Sequence, residues 1–369
     1  MERGALSLLL AVTLGLAACG TVAGPASVAV KPATAQLSPA PASASVQPAA
    51  SVGTGQAATT VAAQDGPFVP NELGQVPILE LHRVNTPEGR WQITPDHLRA
   101  LLSNLYTSGF RPVDFRDVVN RHIDLPRGYA PVVLTFDDGD PSQFQWAPGE
   151  QGLTPSADSA VGILWNFHLA HPDWPAAATF FINHTPFGTD SAAKVSWLVA
   201  HGFEVGDHTW DHVDMTKLDS AQMLREVGGI AAWVQNAVPG YHVETLAYPY
   251  GFASRLPATA WYGTSGGQTY HIDAAVLVGA NPAPSPYSKE WSPLAVPRIQ
   301  VADPSTLESK GTLAWVWAGW EPRLLADNGA KLYVSDGNPA QVTIAAGEQS
   351  ELAAEVPSTS VVVAAATGK

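Results

Sequence analysis

The chain has 369 residues, 46% of them hydrophobic, with 33 Asp and Glu against 19 Lys and Arg and a formal net charge of −14. That length and apolar content suffice for one large α/β domain with accessories. The acidity argues against the basic face on which a nucleic-acid binder collects phosphates, and it disfavours a polyanionic substrate.

From the N-terminus, Glu2 and Arg3 precede an apolar run from Leu6 to Leu16 that is short for a bilayer span and proportioned like a secretory signal. It ends in "LAACG", residues 16–20, which resembles the lipobox of bacterial lipoproteins, where the cysteine is lipidated after cleavage. Cys19 has no second thiol to pair with, so lipidation accounts for it; an ordinary signal peptide is the alternative. Residues 1–19 therefore read as a lipoprotein signal, with export and anchoring to a bacterial cell membrane, extracytoplasmic, as the expectation. Residues 20–66 are rich in Ala, Ser and Pro with few large apolar side chains, the composition of a flexible tether.

A catalytic domain is expected over residues 67–320. Short apolar runs alternate there with helical patterns, the signature of βα-repeats around a buried parallel sheet. The predicted strands are "PILELH" (77–82), "PVVLTF" (131–136), "AATFFI" (177–182), "FEVGDH" (203–208), "TLAYPY" (245–250), "AAVLVG" (274–279) and "LAVPRIQV" (294–301), a barrel-like number. Between them, Thr94 caps and Pro95 opens a helix with Leu98, Leu101, Leu102 and Leu105 on one face, stopped by Gly109. A second helix, roughly 220–238, carries Leu224, Val227, Ala231 and Val234 on one face. Residues 141–173 read as an insertion that shapes a cleft. Residues 321–369 read as a small appendage, with "KLYVSDG" and "QVTIAAG", and a disordered tail.

Two motifs carry chemistry. In "LTFDDGD", residues 134–140, an apolar strand runs into Asp137 and Asp138, and ligands of parallel α/β folds gather at the C-terminal ends of strands. Asp-Asp-Gly is equally a turn when taken alone. In "GDHTWDH", residues 206–212, His208 and His212 are four apart, so a helical turn would bring both imidazoles to one side for a shared metal. Two imidazoles and one carboxylate make a three-ligand site with an open position, and the second carboxylate is left to act as a base.

"TFDDG" followed by "HTWDH" resembles the first two motifs of the polysaccharide deacetylases, carbohydrate esterase family 4, over roughly residues 76–301. The resemblance implies a distorted (β/α) barrel of about seven parallel strands. It implies Asp138, His208 and His212 as ligands of a divalent metal, expected to be zinc with cobalt or nickel also accepted, and Asp137 as general base. The family's third motif usually supplies an arginine to the catalytic aspartate and a backbone N–H to the oxyanion. "LAYPYG", residues 246–251, keeps Tyr250 for the oxyanion but has Ala247 where the arginine falls. Arg298 in "VPRIQV" is the candidate substitute, with a rim salt bridge as its alternative.

The family's last motif supplies a histidine as general acid, and His271, alone after Gly251, matches it poorly. In the arrangement associated with poly-N-acetylglucosamine deacetylases of biofilm systems, the strand bearing that histidine lies at the start, where "LELHRV" places His82. A closed sheet makes its first and last strands neighbours, so sequence distance is no objection. Trp210, Tyr248, Trp261 and Tyr262 line either a carbohydrate groove or the core. The expected activity is removal of N-acetyl groups from an amino-sugar polysaccharide of the cell envelope or biofilm matrix. An O-acetyl esterase on xylan-like glycans and a non-catalytic glycan-binding lipoprotein are the alternatives.

Overall fold

The computed structural model describes residues 65–149, 152–251, 255–308 and 310–364. The signal run, Cys19 and the tether as far as residue 64 lie outside the described residues. Among the described residues no helix is long and apolar enough to cross a membrane.

The apolar runs form the strands β1 (Ile78–Leu81), β2 (Phe110–Pro112), β3 (Ala130–Phe136), β4 (Thr179–Ile182), β5 (Glu204–Asp207), β6 (Thr245–Ala247), β7 (Ala274–Val276) and β8 (Ile299–Gln300). They pair in parallel in the order β7-β6-β5-β4-β3-β1-β8, with β2 on the first residues of β3. The seven strands on this path form the expected distorted barrel. Sequence reasoning missed β2, whose "FRP" is short and interrupted by Arg and Pro. The two path ends meet through a parallel bridge between Val276 and Val296, where the Leu277 N–H donates to the Val296 carbonyl at 2.8 Å. Gly279 permits this close approach, because a Cβ there would stand 2.2 Å from the Arg298 carbonyl oxygen.

The helices α1 (Pro95–Thr107), α2 (Ala160–Ala170), α3 (Ser191–Ala200) and α4 (Ser220–Ala237) pack on the outside. In α1 the Thr94 hydroxyl accepts the His97 N–H at 3.2 Å, and Leu98, Leu101, Leu102 and Leu105 are buried. Asp219 and Gln222 form a capping box that opens α4. Side chains alternate along the strands. Leu79, Leu81, Leu134 and Phe136 join the cluster under the helices, whereas Ile78 and Val133 join the one inside the barrel. Glu80 and His82 therefore continue the inward row of β1, and Thr135 and Asp137 that of β3.

The C-terminal segment returns to the N-terminal end of the domain. Val334 bridges Asn71, and Val342–Ile344 pairs in parallel with Val361–Val363. Glu72 is buried between these segments, accepting the Thr343 N–H at 2.7 Å and the Tyr333 hydroxyl at 3.1 Å. Burial, helped by Asp336, pushes its pKa from 4.5 up to about 7. A raised pKa means that the folded chain holds the proton more tightly. The resulting stability is complete below the unfolded value and is lost as pH rises through 7. Glu72→Gln should flatten the stability–pH curve in that window, removing up to about 3 kcal/mol of dependence in urea unfolding at several pH values. A variant with the native slope would overturn this assignment.

Candidate active site

The C-terminal ends of β1, β3, β5 and β6 surround a cleft of about 370 Å³ lined by His82, Asp137, Asp138, His208, His212 and Tyr250, among others. Register explains how residues so distant in sequence meet. Leu81 pairs with Phe136, so the next residues, His82 and Asp137, stand side by side, and the Asp137 N–H donates to the Leu81 carbonyl at 3.0 Å.

Asp138 Oδ1 lies 3.5 Å from His208 Nε2 and 3.6 Å from His212 Nε2. Bonds of about 2.1 Å to one tetrahedral cation separate its ligand atoms by about 3.4 Å, so this donor set fits a divalent metal. The hydrogen bonding around the histidines also fits. His208 Nδ1 is 2.8 Å from the Ala247 carbonyl oxygen, which can only accept, so the proton sits on Nδ1 and Nε2 is left as a ligand. The residue standing where the family motif has arginine thus orients a histidine through its backbone. Asn183 braces the same loop, donating to the carbonyls of His208 and Thr209 at 2.6 and 2.8 Å.

The expected helical turn over His208–His212 is absent. These residues form a loop in which Thr209 (φ 61°) and His212 (φ 51°) adopt the left-handed region, and this bend brings the imidazoles together. Asp138 (φ 76°) and Tyr250 (φ 62°) share that conformation. Such backbone costs about 1–3 kcal/mol per residue and persists where the surroundings enforce it, which is common at functional sites.

Asp137 is fully buried and held by Arg298 through two parallel bonds of 2.7 Å. Arg298 lies just before β8 and reaches up inside the barrel, donating also to Thr135 Oγ1 at 3.0 Å and the Leu277 carbonyl at 2.8 Å. Burial alone would raise the Asp137 carboxyl. The charge of Arg298 and its hydrogen bonds outweigh it and hold the group below the usual carboxylate range.

His82 Nε2 is 4.0 Å from Glu80 Oε1, and the His82 ring lies 4.8 Å from that of Trp91. Glu80, with no exposed surface, accepts the Gly279 N–H at 2.7 Å and lies 3.9 Å from Arg298 Nη2. Sequence reasoning missed Glu80, although a charge inside an apolar parallel strand demands a buried partner. It also missed Gln143, whose amide donates to the carbonyls of both His82 and Asp137, at 2.9 and 2.5 Å, clamping β1 to β3.

Tyr250 is half-exposed at the cleft edge, its ring 4.8 Å from that of His212. Of the other aromatics, Tyr248 lines the cleft and Trp210 stacks on His184, while Tyr262 lies on a hairpin whose last residue, His271, pairs with Asp273 at 2.8 Å. Among the described residues, the segment 141–173 forms a hairpin and α2, and none of them lines the cleft. That wall comes from the loop bearing Trp91, and Arg83 stands on the rim, 3.7 Å from Asp140.

The family described as polysaccharide deacetylase matches residues 126–262. That range holds Asp137, Asp138, His208, His212 and Tyr250, and leaves His82 and Arg298 outside. A chitin deacetylase of Pestalotiopsis sp is 30% identical over 97 residues, covering 26% of this chain and 31% of that protein, so the chain spans under a third of the curated relative's length. Among solved structures, IcaB from Ammonifex degensii is 21% identical over 68% of this chain and 99% of that one, with a TM-score of 0.46. The Streptococcus pyogenes deacetylase PplD, solved with acetate, is 16% identical over 63% and 96%, with a TM-score of 0.47.

Proposed function

We propose, from a chain whose residues 126–262 carry a polysaccharide deacetylase domain, that this protein is a metal-dependent hydrolase removing N-acetyl groups from an amino-sugar polysaccharide of the cell envelope or biofilm matrix. One observation carries the reading. Two imidazole nitrogens and a carboxylate oxygen, each able to ligate a metal, converge beside a separate, arginine-paired carboxylate in a single cleft.

Asp138, His208 and His212 are the proposed ligands, with zinc favoured by the imidazole and carboxylate donors. A divalent cation held there would supply Lewis-acid polarisation of the acetyl carbonyl and would acidify the attacking water. Asp137, ionised by its pairing with Arg298, takes the proton as that water attacks. The developing oxyanion is assigned to the backbone N–H of Tyr250, supported by that residue's place on the cleft wall. His82 protonates the departing amine, supported by its inward position beside Asp137 and the buried Glu80. Cys19 is the proposed lipidation point, supported by the apolar run that precedes it, and it would hold the enzyme at the outer face of a bacterial membrane.

An amide needs a protonated leaving group more than an ester does. With Zn²⁺ supplied, the chain should release acetate from N-acetylated polymers such as chitin oligomers, poly-N-acetylglucosamine or peptidoglycan. His82→Ala should cut amide hydrolysis about 10²-fold or more while sparing most turnover of an activated acetate ester. Equal losses on both substrates would overturn the acid assignment. Release from acetylated xylan alone would replace the reading with an O-acetyl esterase, and binding without release would make the chain a glycan-binding protein.

A further inference from the structure

Outside the cleft, Glu88, His97 and Asp303 come together from separate segments. These are the loop after β1, the first turn of α1 and the turn after β8. One ligand atom from each lies within 4.8 Å of the others. His97 Nδ1 stands 3.1 Å from Glu88 Oε1, which also accepts the Thr94 N–H at 3.0 Å. The second oxygen, Glu88 Oε2, is buried and has no hydrogen-bond partner. A buried carboxylate oxygen calls for a donor, a proton or a cation.

The group Glu80, His82 and Asp137 is equally close-set, but there Arg298 supplies the positive charge. Among the described residues no lysine or arginine pairs with Glu88 or Asp303. The mixture of imidazole and carboxylate, half-buried in all its members, suits a transition-series cation better than a hard one such as Mg²⁺.

We propose that Glu88, His97 and Asp303 form a second divalent-cation site, structural in role and separate from Asp138, His208 and His212. Its position gives it a task. The loop that holds Glu88 also carries Trp91, which forms the cleft wall beside His82, and the Arg90 carbonyl in that loop accepts from Gln300 of β8 at 3.0 Å. A cation there ties this loop to α1 and to the segment following β8. The inference stands independently of the reaction proposed above.

The test uses the full chain, stripped with a chelator and titrated with Zn²⁺ alone, with bound metal counted by mass spectrometry of the element after desalting. The unsubstituted chain should retain two equivalents. His97→Ala and Glu88→Gln should each retain one. An Asp138→Asn/His212→Ala variant should also retain one, and Zn²⁺ should still raise its melting midpoint; adding His97→Ala to it should abolish both effects. Circular dichroism checks folding, and Asp303→Asn replaces any variant that fails to fold. No metal retained by the Asp138→Asn/His212→Ala variant, or a metal content left unchanged by His97→Ala, would overturn the site and leave Glu88 and His97 as a hydrogen-bonded helix cap only.

Discussion

Asp137→Asn is expected to lower acetate release by about 10²–10⁴-fold while leaving zinc binding at the cleft unchanged. The substitution keeps the side-chain shape, and an amide oxygen can still accept from Arg298, but the amide cannot take a proton from water. The three converging atoms of Asp138, His208 and His212, the proposed ligands, are untouched. Initial rates on an N-acetylated oligosaccharide, set beside metal content, separate the outcomes. Loss of rate together with metal would move Asp137 into the ligand set, and an unchanged rate would remove it from the chemistry. Because its carboxyl lies below the usual range, the base form should persist across roughly pH 5–8, and the acidic limb of the rate profile should belong to another group.

Arg298→Met should destabilise the fold by about 3–5 kcal/mol as well as impair turnover. The guanidinium has no exposed surface and donates to both oxygens of Asp137, to Thr135 and to the Leu277 carbonyl, with Glu80 3.9 Å away. Its removal leaves two buried carboxylates without their cation. The pH dependence should change sign. In the native chain the depressed Asp137 adds stability above its unfolded pKa, and that stability is lost as pH falls through the folded value. In the variant, burial dominates and raises the carboxyl, so the deficit should be smallest in acid and largest above neutrality. Urea unfolding at pH 5 and 8 measures this. Arg298→Lys should recover only part, since an ammonium cannot hold both oxygens in parallel. A methionine variant with native stability and an unchanged pH profile would reduce Arg298 to a bystander.

The seven strands of the main path were legible because each belongs to a short apolar run bounded by turn residues, whereas the polar, Pro-ended β2 was not; α1 was legible because Thr94 caps a regular leucine face. Asp137 and Asp138 stood out as charges directly after such a run. The departure at Ala247 pointed to Arg298, since a buried aspartate needs a counter-charge from somewhere. Glu80 and Gln143 were not legible, because their importance lies in partners on other strands. The left-handed backbone at Asp138, Thr209 and His212 was equally hidden, as none of these is glycine.

What the sequence by itself determined is the set of elements and the kinds of chemistry at their ends. Alternation, caps and charge placement act over a few residues and leave their pattern in the order of the chain. Only the tertiary structure decided which ends meet. Parallel pairing sets Leu81 against Phe136, and closure between Val276 and Val296 completes the ring from which Arg298 reaches inward to Asp137. Those contacts depend on strand register and barrel closure, which are properties of the whole sheet. The position of His82 beside Asp137, more than fifty residues downstream, is their clearest consequence.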